Sequence, residues 1–451
     1  MSSLTSRKLG RHIIKRKLQV LAAAAVYEVL VSFTYINLIS PVFSYDGFVY
    51  NPLDVDKMVF IHLLALVPAL WMAREVTQPS HVIEWVLFLT VYIPATIFPH
   101  YIFPQSYSPL VDFDLVLLVS FALASFVSRL PMLKLEPKGL REPTFLVLLY
   151  ALTAILAVTI SFGTGFNFKL ASVSKVYDVR AQFTQAAVHS QFLGYLLPWL
   201  GQAVAPLLFA LGLVRKEKGP IFVGLAMSTL AYSVTAFKTV LFSPFFLVGI
   251  KKMLELSKRR SGLMLPIWFS AAVLLCIGLD LVIGFPIFSA LFLHRAIVTP
   301  GAVTGYYYEF FRNHPFEMLA HSIFRAFLHS PYRHGPSFVI ANVYWPNRPD
   351  MEANANIWAT AYADFGFAGM IVFSLLLGLV LKAFDTVSED LDLGFSCMLA
   401  VFPAMVLANT ALLTSLLTHG IGLVMLLLLL VPRRHLSSAR LPVISPQVAR
   451  A

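Results

Sequence analysis

The residues able to do chemistry are crowded into one stretch. Between Phe285 and Gly366 stand five arginines, five histidines, six tyrosines and two tryptophans. Guanidinium groups grip phosphate oxygens in bidentate pairs, and a lysine ammonium adds a point charge. Arg295, Arg312, Arg325 and Arg333 from this stretch, with Arg180 and Lys238 from earlier in the chain, make a candidate cationic cleft for a lipid diphosphate. The competing account pairs each cation, Arg348 included, with lipid headgroups or with Asp178, Glu309, Glu317 or Asp350. Lys238 carries the most information, because it stands between two apolar runs where a charge is expensive.

Chemistry at such a cleft also needs a base. Glu317, His321, Arg325 and His329 recur every four residues and Pro315 suits a first helical position, so the spacing predicts an amphipathic helix over His314–His329 with one polar stripe. His321 is the first candidate for a general base, with Glu309 and Asp364 behind it. A helix lying flat on a bilayer explains the apolar face, but not two histidines beside an arginine. His294, His314, His321, His329 and His334 invite a metal reading. No HExxH is present, however, and Arg325 stands between His321 and His329, where its charge repels a cation, so neither metal nor cofactor is expected. Tyr307, Tyr308, Trp345 and Trp358 are candidates to stack on sugar rings, although such rings also suit a membrane interface. Asp54-Val-Asp56 is a common pattern that also fits the flank of a span.

The elements that must position these groups are set by composition. The 451-residue chain is 58% hydrophobic and 13% charged, with mean hydropathy +0.76, far from the globular norm. Apolar runs of spanning length recur, at about 18–40, 58–73, 82–99, 113–129, 143–163, 190–214, 220–237, 239–255, 262–283, 367–384, 394–413 and 416–431. The fold class is therefore an all-α polytopic membrane protein of about twelve transmembrane helices. One long outer, periplasmic loop carries short amphipathic helices.

Charge placement orients the chain. With the N-terminus inside, 24 of the 34 basic residues fall on inner segments. That organises the chain as a basic cytoplasmic N-terminus (1–17), membrane helices 1–9 (18–283), the large outer loop (284–366), helices 10–12 (367–431) and a cytoplasmic tail (432–451). The net charge of +11 comes mostly from span ends, so nucleic acid is not an expected partner. Cys276 and Cys397 lie inside apolar runs, which argues against a disulfide or metal pair.

Four segments together resemble a known family: VYDVRAQF, TAFKTVLFSP, HRAIVTPG…YYYEFFRNHP and NANIWATAYADFGFAGM. Over residues 145 to 385 the chain resembles the O-antigen (Wzy-type) polymerases, the oligosaccharide repeat-unit polymerases of bacterial inner membranes. The resemblance implies a metal-independent, inverting glycosyltransferase that polymerises lipid-diphosphate-linked repeat units into a surface polysaccharide. Its implied partners are polyprenyl-diphosphate-linked oligosaccharides, membrane lipids, a chain-length regulator and a flippase. Important arginines in two outer loops correspond by position to Arg180, Arg295 and Arg312. The alternatives are an O-antigen ligase, another polyprenyl-phosphate-dependent glycosyltransferase and, in a different class, a lipid-linked oligosaccharide flippase or transporter. Glu28, Glu84 and Asp280, inside or at the ends of spans, favour the last.

Overall fold

The computed structural model describes residues 2–131, 137–164, 191–322, 324–325, 327–348 and 351–433. The described residues contain helices and no strand, as a backbone in lipid requires when every N–H must be satisfied within its own segment. Seven helices are long and apolar enough to cross a membrane: Ile14–Asp46, Pro79–Ile102, Pro104–Ser128, Glu142–Gly163, Leu193–Arg215, Ser261–Ile283 and Ile357–Val387. The other five expected spans correspond to shorter helices or helices outside that set: Val55–Leu66, Lys218–Thr235, Ser243–Ser257, Leu393–Leu407 and Ile421–Leu430.

Pro79–Ile102 is the axis of the bundle. Of its most apolar window 94% is buried, against 28% for Glu142–Gly163, whose Val147, Ile155 and Phe162 face outward. At one end of the bundle, turns far apart in sequence are tied together. Leu263 N donates to Arg74 O (3.1 Å), Arg129 pairs with Glu84 (2.8 Å) and Ser80 N donates to Asp385 (2.9 Å). Arg215 pairs with Glu142 (2.7 Å), and Leu140 N donates to Leu430 O (2.9 Å). We call this the Arg74 end. The segments that charge bias groups on one side do meet there.

The 284–366 stretch is not one loop. Residues 289–311 form a continuous helical run, Ser289–Val298 followed by Thr299–Phe311, and the second part is almost wholly buried. Gly301 and Gly305 make this possible. A Cβ on Gly301 would lie 2.4 Å from Pro94, and one on Gly305 2.7 Å from Pro99. Two small residues four apart thus let this run lie flush and parallel against Pro79–Ile102.

A second departure follows Tyr344. Residues 351–356 run into the core, where Ala353, Ala355 and Asn356 are at most 2% exposed. The chain then climbs back as a short helix, turns at Phe365–Gly366, and descends as the rest of Ile357–Val387. Trp358 Nε1 donates to Ser374 Oγ at 2.9 Å, whereas sixteen residues of straight helix would span about 24 Å. Only a doubled-back chain brings them together. Gly366 makes the reversal with φ of +60°, open to glycine at little cost. Asn356 caps the buried start: its Oδ1 accepts from Trp358 N and Ala359 N, and its Nδ2 donates to Thr304 Oγ1 at 2.6 Å. Non-helical backbone at this depth is tolerated because protein surrounds it.

The amphipathic helix expected over His314–His329 does not form; the described residues there make turns. Met318 and Leu319 take left-handed φ of 53° and 62°, a conformation that costs a β-carbon-bearing residue about 1–2 kcal/mol. The offset is visible. Glu317 N and Met318 N donate to the carbonyls of Ala363 and Asp364, and Leu319 N donates to Asp364 Oδ1, so three successive N–H groups close the end of the re-entrant helix.

Candidate functional site

The end of the bundle opposite Arg74 is capped by residues 312–348, and here several of the expected residues meet. Glu317 is 1% exposed. Its Oε2 accepts from His321 Nδ1 at 2.8 Å and from Ser330 Oγ at 2.9 Å, while Oε1 has no partner among the described residues. A carboxylate can only accept, so the Nδ1–H faces Glu317 and the Nε2 lone pair is left to take a proton. The imidazole is partly exposed, with side-chain accessibility of 25%. Asp364 lies close enough to act electrostatically on both Glu317 and His321. A Cβ on Gly335 would lie 3.7 Å from His321 Cβ, so the turn carrying Arg333 and His334 passes beside the imidazole. Arg325 and Arg333 are exposed and make no ion pair among the described residues.

Glu309 and Arg312 form a second polar spot. They pair at 3.0 Å; the guanidinium also reaches Ser106 Oγ (3.3 Å) and lies over the Tyr308 ring at 5.8 Å. Glu309 Oε1 has no partner among the described residues. The two spots share an aromatic floor, in which Tyr362 contacts both Tyr308 (5.2 Å between centroids) and Phe316 (6.0 Å). Burial, then the Glu309 charge, pushes the Tyr344 hydroxyl up to about 12. Burial and the Glu317 charge likewise raise Tyr332, whose hydroxyl donates to Pro315 O at 2.6 Å. Both shifts favour the neutral phenol.

The expected six-cation cleft is divided. Arg180 lies outside the described residues. Arg295 is exposed on the same helical run that Arg312 follows, and their separation of seventeen positions spans about 25 Å, too far to share one diphosphate. Lys238 opens the short helix Lys238–Leu241, whose neighbour Phe242 meets Phe292 edge-on (6.4 Å). The segments carrying Lys238 and Arg295 thus touch, and Arg312, Arg325 and Arg333 belong to the cap. Arg348 is satisfied by both oxygens of Asp46 at 2.9 Å.

The four aromatic candidates are not sugar platforms here. Tyr307, Tyr308, Trp345 and Trp358 are 1%, 4%, 7% and 0% exposed. Their polar tips donate to Ala353 O, Pro109 O, Asp46 O and Ser374 Oγ respectively. Tyr307 and Trp358 brace the re-entrant segment, while Tyr308 and Trp345 tie to Pro109 and Asp46, because an aromatic ring with one donor both fills and satisfies a packed core. His294 is likewise packed against the rings of Phe43 and Phe48, and no three His, Cys, Asp or Glu gather as a ligand set among the described residues. Asp54 is occupied by Lys57 at 2.7 Å.

Sequence reasoning missed two internal polar groups, one part-buried and one buried. His62 bridges Glu28 and, at 2.9 Å, the Tyr101 hydroxyl. His100 pairs with Asp114 at 2.7 Å with both side chains at most 1% exposed. The signal available was a histidine inside each of two apolar runs. Glu84 and Asp280 have structural work: Glu84 holds Arg129, and Asp280 accepts from Phe288 N and Ser289 N to fix a turn. Comparison with family models, with curated proteins and with solved structures finds no match to this chain.

Proposed function

We propose that the protein is a membrane glycosyltransferase that joins lipid-diphosphate-linked oligosaccharide units at the His321 cap, as a repeat-unit polymerase of a bacterial inner membrane with the cap on the outer face. The observation that carries this reading is the Glu317–His321 pair, in which a buried carboxylate holds a partly exposed imidazole with Nε2 free. The acceptor hydroxyl gives its proton to His321 Nε2 as its oxygen attacks the anomeric carbon. The bond from that carbon to the diphosphate breaks, and the electron pair leaves with the lipid diphosphate. The leaving group is already acidic, so what the site must add is positive charge. Arg325 and Arg333 supply it, with Arg312 close by.

Lipid-linked substrates must be met at a membrane surface, and the cap offers one. Phe324, Phe327 and Leu328, beside Arg325, are 41%, 82% and 41% exposed, the mixture of apolar and cationic groups suited to a headgroup layer. Lys238 and Arg295 would hold the carrier of the second substrate. A chain-length regulator and a flippase are the expected partners, and a ligase would use the same donor chemistry with a different acceptor. The test is direct: purified protein incubated with a lipid-diphosphate oligosaccharide should give a ladder of longer products, insensitive to chelators. A single elongated product on a different lipid acceptor would favour the ligase, and no product with either would remove the transferase reading.

A transporter is the second reading, favoured by the part-buried Glu28–His62–Tyr101 and buried His100–Asp114 groups, since paired ionisable groups within a membrane mark proton or substrate paths. Proton-coupled movement of lipid-linked oligosaccharide across vesicles, lost in His62→Ala, would decide for it.

A further inference from the structure

Arginines from three separate elements meet at the Arg74 end without a paired countercharge. Arg74 is placed by its backbone: its carbonyl accepts from Leu263 N at 3.1 Å, and Val76 N donates to Ser261 Oγ at 3.0 Å. Gly262 permits this approach, since a Cβ there would run into Ala73 O. The turn is therefore seated on the start of the Ser261–Ile283 helix, beside Arg260. From the other side, the Arg74 guanidinium donates to Gln19 at 2.8 Å, about one turn along Ile14–Asp46 from Arg16.

Partial burial, and then the charges of Arg16 and Arg260, lower the Arg74 pKa, while Glu75 acts against them more weakly. Arg16 and Arg260 are exposed, and none of the three arginines forms an ion pair among the described residues. Arg129 and Arg215, at the same end, each hold a carboxylate. The start of Ser261–Ile283 adds the partial positive charge of a helix dipole. Like charges gathered this way repel one another. A phosphate among them removes the repulsion and gains bidentate contacts.

The surroundings indicate what carries the anion. Ile14–Asp46 and Ser261–Ile283 pack together from this spot into the spanning part of the bundle, where Tyr27 meets Phe269 edge-on at 6.0 Å. Tyr27 lies about three turns beyond Arg16, on the same helix face. Leu18, Val26 and Val29 on the first helix, and Ile267 and Trp268 on the second, are exposed apolar side chains that acyl chains can cover.

We propose that Arg16, Arg74 and Arg260 form a headgroup site for an anionic phospholipid without an ammonium, of the phosphatidylglycerol type. Its phosphodiester lies among the three guanidiniums, and its acyl chains run along the two helices. The site stands at the opposite end from the His321 cap and does not rest on the transferase reading.

The full chain in detergent, given equal amounts of phosphatidylglycerol and phosphatidylcholine, should retain phosphatidylglycerol in preference, read by native mass spectrometry. Arg16→Gln/Arg260→Gln should lower that retention about tenfold or more, the scale of losing two cations at a charged surface. Lys218→Gln, which removes an exposed cation close after Arg215, should leave it unchanged. Thermal unfolding in phosphatidylcholine nanodiscs separates binding from folding. Added phosphatidylglycerol should raise the wild-type midpoint to a plateau, and inorganic phosphate should not. The double variant should melt no lower than wild type in phosphatidylcholine alone, because a repulsion has been relieved, and should gain nothing from phosphatidylglycerol. Equal retention of the two lipids, an equal loss in Lys218→Gln, a midpoint rise without a plateau, a rise of the same size with inorganic phosphate, or a double variant that melts lower in phosphatidylcholine alone would each overturn the proposal.

Discussion

Four arginines at the Arg74 end and two at the His321 end are treated in opposite ways. At the Arg74 end four guanidiniums are bound: Arg129 to Glu84, Arg215 to Glu142, Arg74 to Gln19, and Arg433 to the carbonyls of Val387, Leu428 and Glu389. At the His321 end Arg325 and Arg333 reach solvent without an ion-pair partner among the described residues, while Glu309 and Glu317 each hold back one buried oxygen. Charges that are mutually satisfied hold helices together. Charges kept apart at the edge of an aromatic floor are what the proposed transferase site would call on. Position at a span end does not separate these two cases; partnership does.

That contrast can be broken from either side. Arg129→Ala should have the largest effect on stability, about 3 kcal/mol, because it leaves the 3%-exposed Glu84 carboxyl without its countercharge; chemical denaturation in detergent measures it. Gly366→Ala comes next, at about 2 kcal/mol, since φ of +60° and the Phe316 ring 2.8 Å from the new Cβ both resist it. Asn356→Ala should cost about 1–2 kcal/mol by exposing two buried N–H groups at the start of the re-entrant helix, and hydrogen exchange at Trp358 and Ala359 should rise. Arg333→Ala, at the other end, should leave stability within about 0.5 kcal/mol while raising KM for the lipid-linked donor roughly tenfold, the loss of one charge-assisted contact. Equal stability losses for Arg129→Ala and Arg333→Ala would erase the distinction.

The helical, membrane-embedded character of the chain was legible because it rests on a bulk property, apolar runs longer than any soluble helix needs. The grouping of turns at the Arg74 end followed from charge bias for the same reason. The stretch after Phe285 was not legible, because hydropathy scores a run by what lipid would tolerate. Residues 299–311 are shielded by protein, so Glu309 and three tyrosines disguise a buried helix as a loop. The re-entrant turn depends on Gly366 alone, and one glycine in an apolar helix says little. At the cap, the four-residue spacing put Glu317 and His321 on one polar stripe of a helix, and that helix does not form among the described residues. The pair forms across a left-handed turn that exists to close the helix ending at Asp364, a long-range demand invisible in local periodicity.

The central claim is that His321, oriented by Glu317, takes the acceptor proton at the cap. Its most direct measurement is the turnover of His321→Ala on purified lipid-diphosphate oligosaccharide, with kcat and KM separated. The account predicts a fall in kcat of about 100-fold or more, the range of general-base catalysis, with KM changed less than about threefold, and a smaller kcat loss in Glu317→Gln. Unchanged kcat in His321→Ala would contradict it.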